Sequence, residues 1–381
     1  MFDLLIENLN LLFLCLICQP TTIHPSSVVF ENEHRDESPP FPSRSNHRHR
    51  SLCHAATAAL LFSVPMQPRH RRAAGHHFVS QQRQSNSSCQ QTRHAAGAAA
   101  TDNDNLPELL SRAAMEDNTI IMTFTNEAWS APGSLTDLFL ESFRTGIRTA
   151  PLLNHLVIVA VDAAAFSRCQ QTHPLCYALP VNNNASTTAN YASEQRYMAG
   201  EYLDMMWRRN RFQARVLSLG YSFVFTDVDI AWLRNPLLRI PVAADMAFSC
   251  DWYHGSSPYD LDKRANGGFL YVKGSARTAA FYAGWWDASR AAYPGQHEQF
   301  VFEQVKRELG ERHGVTVQFV DTAYLGTFCE RGKRRDWRKL CTFHANCVIG
   351  LQAKLETLRG VLDEWQRFKA KAGPNGTALT D

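Results

Sequence analysis

The pattern of apolar and polar positions changes character near residue 115. Between residue 20 and about residue 105, Pro, Ser, Gln, Arg and Ala dominate with no apolar period. Such composition offers little surface to bury and predicts a low-complexity leader. Beyond Met115, compact apolar runs alternate with stretches of helical spacing. Thr119–Thr125 is a β-branched run that predicts a buried strand ending at Asn126. Residues 134–148 place Leu135, Leu138, Phe139 and Phe143 near helical spacing, with Ser134 as the N-cap. Residues 155–161 predict a second strand. Residues 197–219 predict a long helix that Gly220 stops. A third apolar run, 221–226, leads directly into Asp227-Val228-Asp229. Further strands are expected over 245–250, 268–272 and 315–320, with helices over 276–291 and 297–310. The alternation predicts an α/β domain with helices on both faces of the sheet. Ligands of such sheets gather where strands end at the carboxyl edge. No internal repeat is evident, so the chain divides into a leader (1–105), one catalytic domain (115–366) and a flexible tail (367–381).

Composition narrows the class. A chain of 381 residues that is 45% apolar can bury a substantial core. A net charge of +3 argues against a dedicated nucleic-acid binder. Ten cysteines match neither a dense disulfide scaffold nor a zinc pattern, and the Cys15/Cys18 pair lies in a leucine run with no second pair. Cys169/Cys176 and Cys329/Cys341 are close enough in sequence to close short loops in an oxidising compartment. Together with sequons at Asn86, Asn184 and Asn375, they lean towards the secretory pathway. The apolar runs 11–18 and 55–66 fall short of the roughly 20 residues that span a bilayer. Asp3 and Glu7 flank the first run, unlike the basic start of a signal peptide.

The chemistry concentrates at Asp227 and Asp229. In an extended segment, residues i and i+2 project to one side, so both carboxylates can face one ion. Hard oxygen ligands beside substrate phosphates suit Mn²⁺ or Mg²⁺. A bare Asp-x-Asp is a weak signal and also fits a capping or turn pair. Here it follows an apolar strand and precedes Trp232-Leu233-Arg234-Asn235-Pro236. Asn266-Gly267-Gly268-Phe269 reads as a glycine-rich turn entering a strand, where backbone can approach a ligand closely. Asn266 is a candidate for bonding ligand hydroxyls. Arg208, Arg209 and Arg211 lie on the helix before the metal motif, and guanidinium geometry suits phosphate. Thr125 and Asn126, after the first strand, are candidate ligand contacts. Trp232, Trp252, Trp285 and Trp286 offer stacking surfaces or core.

Residues 219–229 followed by Trp232–Pro236 closely resemble plant nucleotide-diphospho-sugar transferases of glycosyltransferase family 77. Other family-like blocks follow in order: Thr123 to Asn126, Cys169 to Cys176 with His173-Pro174, Met205 to Arg209, Asn266 to Phe269 with Tyr271, and His344 to Cys347 with Gly350. The resemblance covers about residues 115–365. It implies a GT-A fold, which is a Rossmann-like, mostly parallel sheet flanked by helices. It also implies retaining transfer from a nucleotide-sugar, UDP-linked, to a glycan or glycoprotein acceptor. By resemblance His344 joins Asp227 and Asp229 as a metal ligand, and Lys354 contacts the diphosphate. In such a site Asn266 is the candidate for donor-sugar or acceptor hydroxyls and Thr125 and Asn126 for the nucleotide base or ribose, with Arg208, Arg211, Gly267 and Gly268 as further donor-site candidates from their own chemistry. Glu298 stands where the family usually has Asp before Gln, a departure of one methylene. It either bonds sugar hydroxyls, supports an oxocarbenium-like centre, or simply complements the helix dipole. The family also implies the Golgi, as a type II membrane or lumenal protein. Two other readings remain open: a non-catalytic nucleotide-sugar or carbohydrate binder of the same fold, and a haloacid-dehalogenase-type phosphatase. The second needs Thr or Val where Ala231 stands.

Overall fold

Each apolar run predicted as a strand beyond Met115 becomes a strand of one seven-stranded sheet. The computed structural model describes residues 104–180, Ser193 and residues 200–372, all within one compact unit, Thr92–Asp381. The leader's apolar runs, the Cys15/Cys18 pair and the three sequons lie outside the described residues.

In chain order the elements are α1 (Leu106–Ala113), β1 (Thr119–Thr125), α2 (Glu127–Ser130), α3 (Leu135–Thr145), β2 (Leu156–Ala160), α4 (Ala163–Thr172), β3 (Cys176–Ala178) and α5 (Gly200–Ser218). There follow β4 (Ser222–Thr226), β5 (Ile230–Trp232), β6 (Met246–Cys250), β7 (Ala265–Val272), α6 (Ala276–Ala291) and α7 (Glu298–His313). The chain closes with β8 (Val317–Phe319), β9 (Leu325–Thr327), β10 (Thr342–His344) and α8 (Leu351–Ala372). The large sheet runs β3-β2-β1-β4-β7-β6-β8, and a small one runs β5-β10-β9. In the large sheet only the β4–β7 and β6–β7 pairings are antiparallel, so the α/β, mostly parallel expectation holds. β1, β2, β4 and β6 are buried along their whole length, as strands covered by helices on both faces must be. Gly220 ends α5 with φ +88°, a conformation that costs glycine little.

Several boundaries move. The apolar pattern assigns no element to residues 106–114, yet α1 buries Leu106, Leu109, Leu110 and Ala113 in the main core. Ser134 sits at the start of α3 but caps nothing, because its hydroxyl donates to the carbonyl of Ala128 instead. α8 runs past position 366 into the expected tail. Phe368 stacks on Trp365, and Lys369 Nζ donates to the carbonyl of Thr145.

The second predicted cysteine pair is corrected. Disulfides join Cys169–Cys176 and Cys329–Cys347, while Cys341 is a buried thiol. The parallel β9–β10 register pairs Thr327 with His344, so Cys329 and Cys347 emerge at the same end of the two strands. Cys341 lies before β10, at the opposite end. No helix among the described residues is long and apolar enough to cross a membrane.

Candidate functional site

Strand direction assembles the site. β1 and β4 run parallel, so Asn126 and Asp227, the residues that follow them, reach one edge of the sheet. β7 is antiparallel to β4 and brings its first residues, 265–268, to that same edge. The expected Asn-Gly turn is instead an irregularity inside β7. Phe248 pairs with Leu270 but Ser249 pairs with Asn266, so Gly267 to Phe269 have no partner on β6 and form a bulge. On its other side the bulge stays tied to β4, because Asp227 N–H donates to the carbonyl of Gly268.

The Asp227–Asp229 segment is also not extended. It is a tight turn through which the chain leaves the large sheet for the small one. Convergence of the carboxylates therefore comes from the turn and from β10, not from strand alternation. In the antiparallel β5–β10 pair, His344 faces Ile230, and Ala345 N–H donates to the carbonyl of Asp229. His344 Nε2 thereby stands 3.2 Å from Asp229 Oδ1 and 3.9 Å from Asp227 Oδ2. One ligand atom from each of Asp227, Asp229 and His344 lies within 4.8 Å of the others. Two carboxylates and an imidazole form a donor set that fits a divalent ion such as Mn²⁺ or Mg²⁺. Gly268 leaves room for them, since a Cβ there would come 2.3 Å from His344 Cε1 and 2.8 Å from Asp227 Oδ2.

Charge is divided unequally between the two aspartates. Burial pushes Asp227 up to about 6, with the charge of Asp229 adding and Arg209, His344 and Lys354 opposing. Its side chain is 32% exposed to the cleft, which tempers that push. Burial would raise Asp229 as well, but Lys354 and His344 hold it well below the usual carboxylate range. Lys354, from the first turn of α8, places Nζ 2.5 Å from Asp229 Oδ2.

The cleft around this cluster has a volume of about 760 Å³. It takes in Thr125, Asn126, Asp227, Asp229, Asn266, Gly267, Gly268, Glu298, His344 and Lys354 from the sequence-predicted set. Arg208 and Arg211 do not line it. Arg208 bonds the carbonyl of Pro180, and the Arg211 guanidinium lies 4.9 Å over the Trp286 ring. The arginine that reaches the cleft is Arg209, on the apolar face of α5 with Met205 and Met206. It donates to Asp227 Oδ1 at 3.1 Å and to Glu298 Oε1 at 2.7 Å. Its place on that apolar stripe was the available signal, because a buried arginine needs a carboxylate partner.

Other predicted residues line the cleft with their side chains partly committed. Asn126 caps α2 by accepting from Trp129 N–H, and the Thr125 hydroxyl meets that of Thr136 at 2.9 Å. Asn266, expected to act on substrate, donates from Nδ2 to Asp251 and accepts at Oδ1 from Gly268 N–H. It shapes the bulge and keeps one amide hydrogen for a ligand. Glu298 Oε2 is buried and has no hydrogen-bond partner among the described residues. His297 Nδ1 lies 3.1 Å from that oxygen, but it accepts from Gln299 N–H and its Nε2 meets the Tyr202 hydroxyl, so the contact becomes a hydrogen bond only when the imidazole is protonated. Trp232 and Trp285 are core residues, and neither Trp252 nor Trp286 lines the cleft. Trp129, which does line it, escaped the sequence reading.

The Trp232–Pro236 block is scaffolding. Trp232 stacks on Phe143, Arg234 donates to the carbonyl of Trp337, and Asn235 caps the short turn that follows.

Known proteins agree with this picture at the level of sequence. A family model described as nucleotide-diphospho-sugar transferase matches residues 151–358. The Arabidopsis thaliana protein At4g15970, itself uncharacterized, is 40% identical over 273 residues, covering 71% of this chain and 70% of that protein. The β-arabinofuranosyltransferase RAY1 of the same plant is 29% identical over 170 residues, covering 39% of this chain and 31% of its own length. Mouse xyloside xylosyltransferase 1 covers 60% of this chain and 98% of its own, at 13% identity and a TM-score of 0.36. With more than half of its length matched by the family model, the chain belongs to the nucleotide-diphospho-sugar transferase family of glycosyltransferases.

Proposed function

We propose that this chain transfers a sugar from a UDP-linked donor to a glycan or glycoprotein hydroxyl, with retention at the anomeric carbon and dependence on Mn²⁺ or Mg²⁺. The observation that carries the reading is the meeting of Asp227, Asp229 and His344 beside Lys354 on the wall of the large cleft. A divalent ion held by those three residues would offset the negative charge of the departing diphosphate.

The chain's own groups account for the rest. Lys354 presents an ammonium group where the diphosphate would lie. Arg209 fixes Asp227 and Glu298 relative to one another. Glu298 Oε2, buried with an unfilled acceptor position, suits a sugar hydroxyl. The bulge at Gly267 and Gly268 lets backbone approach the donor. In the transfer, the bond from the anomeric carbon to phosphate oxygen breaks and a bond to the acceptor oxygen forms on the same face. The released phosphate oxygen takes the acceptor's proton, so no protein nucleophile is required. The two disulfides support an oxidising compartment, and the reading expects the Golgi lumen or membrane.

The test is a panel of UDP-sugars assayed for hydrolysis with Mn²⁺, with Mg²⁺ and with chelator. Asp229→Ala lowers turnover by about 10²–10³-fold, the usual effect of removing one electrostatic group at a developing charge. Wild-type turnover in that variant would falsify the assignment. Donor binding without hydrolysis or transfer by the wild type favours a non-catalytic binder instead.

A further inference from the structure

A second cavity, of about 250 Å³, opens beside the small sheet and is walled by the segment that follows β9. Between Cys329 and Cys341 that segment carries six Lys or Arg and two acids. Both acids are already neutralised within it. Lys333 Nζ lies 2.6 Å from Glu330, and Arg338 bonds Asp336 at 3.1 Å. Arg335 is spent on Glu364 and lies over the Phe343 ring. Arg331 and Arg334 are exposed cavity residues with no carboxylate at ion-pair distance among the described residues. The cavity therefore presents two guanidinium groups without a counter-charge, beside the ring of Phe328, over which Arg331 sits.

Its position relates it to the catalytic cleft. Along β10, Phe343 alternates with His344, so the cavity lies against the opposite face of the small sheet from the metal-ligand side. Asn346 lines the cleft and accepts from the Thr327 hydroxyl and Phe328 N–H, both of which line the cavity. The Cys329–Cys347 disulfide ties the two walls together.

We propose that this cavity binds carboxylate groups of an acidic glycan, one or two sugar units of a chain that continues to the cleft as acceptor. The proposal rests on the transferase reading for the purpose of the glycan, but not for its binding. Planar guanidinium groups match carboxylates in two-point contact, and Phe328 offers a sugar ring an apolar face. The volume is below the roughly 300–1,000 Å³ of whole small-molecule sites, which fits a piece of a longer chain. A single-stranded nucleic acid would need a row of exposed rings for successive bases, whereas the rings lining this cavity are half-buried Phe328 and buried Phe343. A membrane would need apolar residues at the mouth, whereas residues 331–334 are Arg-Gly-Lys-Arg.

The experiment measures binding of the full chain to a short oligogalacturonate and to its methyl-esterified form, which keeps the rings and removes the charge. The wild type binds the acid form at least about tenfold more tightly. The Arg331→Ala/Arg334→Ala double variant loses that preference, with unchanged melting temperature and unchanged UDP-sugar hydrolysis, while Arg312→Ala keeps it. Equal binding of acid and ester, or a double variant that binds like the wild type, overturns the proposal. So does tighter binding of single-stranded DNA, a sulfated oligosaccharide or phosphatidylserine vesicles than of the oligogalacturonate. If the acid binds but no UDP-sugar is turned over, the transferase reading fails and the binding site stands.

Discussion

The large sheet and the small sheet hold the two halves of the site in different ways. The large one has strands of up to eight residues, covered on both faces, and delivers Asn126, Asp227 and residues 266–268 of β7 to one edge. The small one has three residues in each strand and delivers His344. Its apolar support comes largely from α8, whose Leu355, Leu358, Val361, Leu362 and Trp365 pack with Ala231, Leu233 and Phe343. The lesson is a division of labour. The large sheet sets where the site is, and a small, pinned sheet sets whether the third ligand arrives. Asp227 and Asp229 sit in the turn between them.

The largest expected effect tests the large-sheet side. Arg209→Met leaves Glu298 buried without a partner, and Asp227 partly so. Stability falls by about 3 kcal/mol, which lowers the melting temperature by roughly 6–12 °C. Adding Glu298→Gln recovers part of the loss, and a melting curve unchanged by Arg209→Met would sink the account of that ion pair.

A smaller effect separates the seam from its surroundings. Gly268→Ala drives a methyl group into His344 and Asp227, and turnover drops about 10–100-fold through displaced groups. Gly267→Ala meets no protein atom closer than 3.5 Å, leaves His344 and Asp227 in place, and loses less, through its closer approach to the donor alone. Equal activity of the two variants would show that the close approach at Gly268 does not matter.

The smallest effect is confined to pH. His173 Nε2 donates to the carbonyl of Leu156 at the start of β2, and burial holds this imidazole below its usual 6.5; burial does the same for His297. As pH falls through 6.5, the unfolded chain takes up protons that the folded one refuses, so stability is lost on the acid side and kept at neutral pH. Protonation of Asp227, raised to about 6, adds stability in the same window and opposes this loss. The histidine effect is therefore read as a difference: between about pH 7.5 and about pH 5.5 the wild type loses more melting temperature than His173→Gln does. Parallel profiles in the two proteins contradict this.

The same division explains what the sequence could tell. β1, β2, β4 and β6 were legible because a strand covered on both faces must be an unbroken apolar run, and each is five to seven residues long. β9 and β10, at three residues each, are too short to carry a period. Nothing in their spacing brings His344 to Asp229, and only the family resemblance supplied it. The pairing of Cys329 with Cys347 depends on the β9–β10 register and was hidden for the same reason. The sequence names three neighbouring arginines as candidates and places Arg208 and Arg211 in the donor site, although only Arg209 shares a helix face with Met205 and Met206. The bulge was read as a turn because Asn-Gly is common to both. Distinguishing them requires knowing what β6 pairs with.

His344 lies 115 residues beyond Asp229 in the chain. Contacts of such high sequence separation close late, after the loop entropy between them has been overcome. During synthesis the two aspartates emerge long before the histidine and lysine that complete their surroundings. Metal affinity would therefore act as a checkpoint on maturation, appearing only once β10 and α8 have docked. A ligand that recognises only the finished fold also stabilises it by mass action. Added Mn²⁺ should then protect the complete chain against unfolding and do nothing for one that ends before β10.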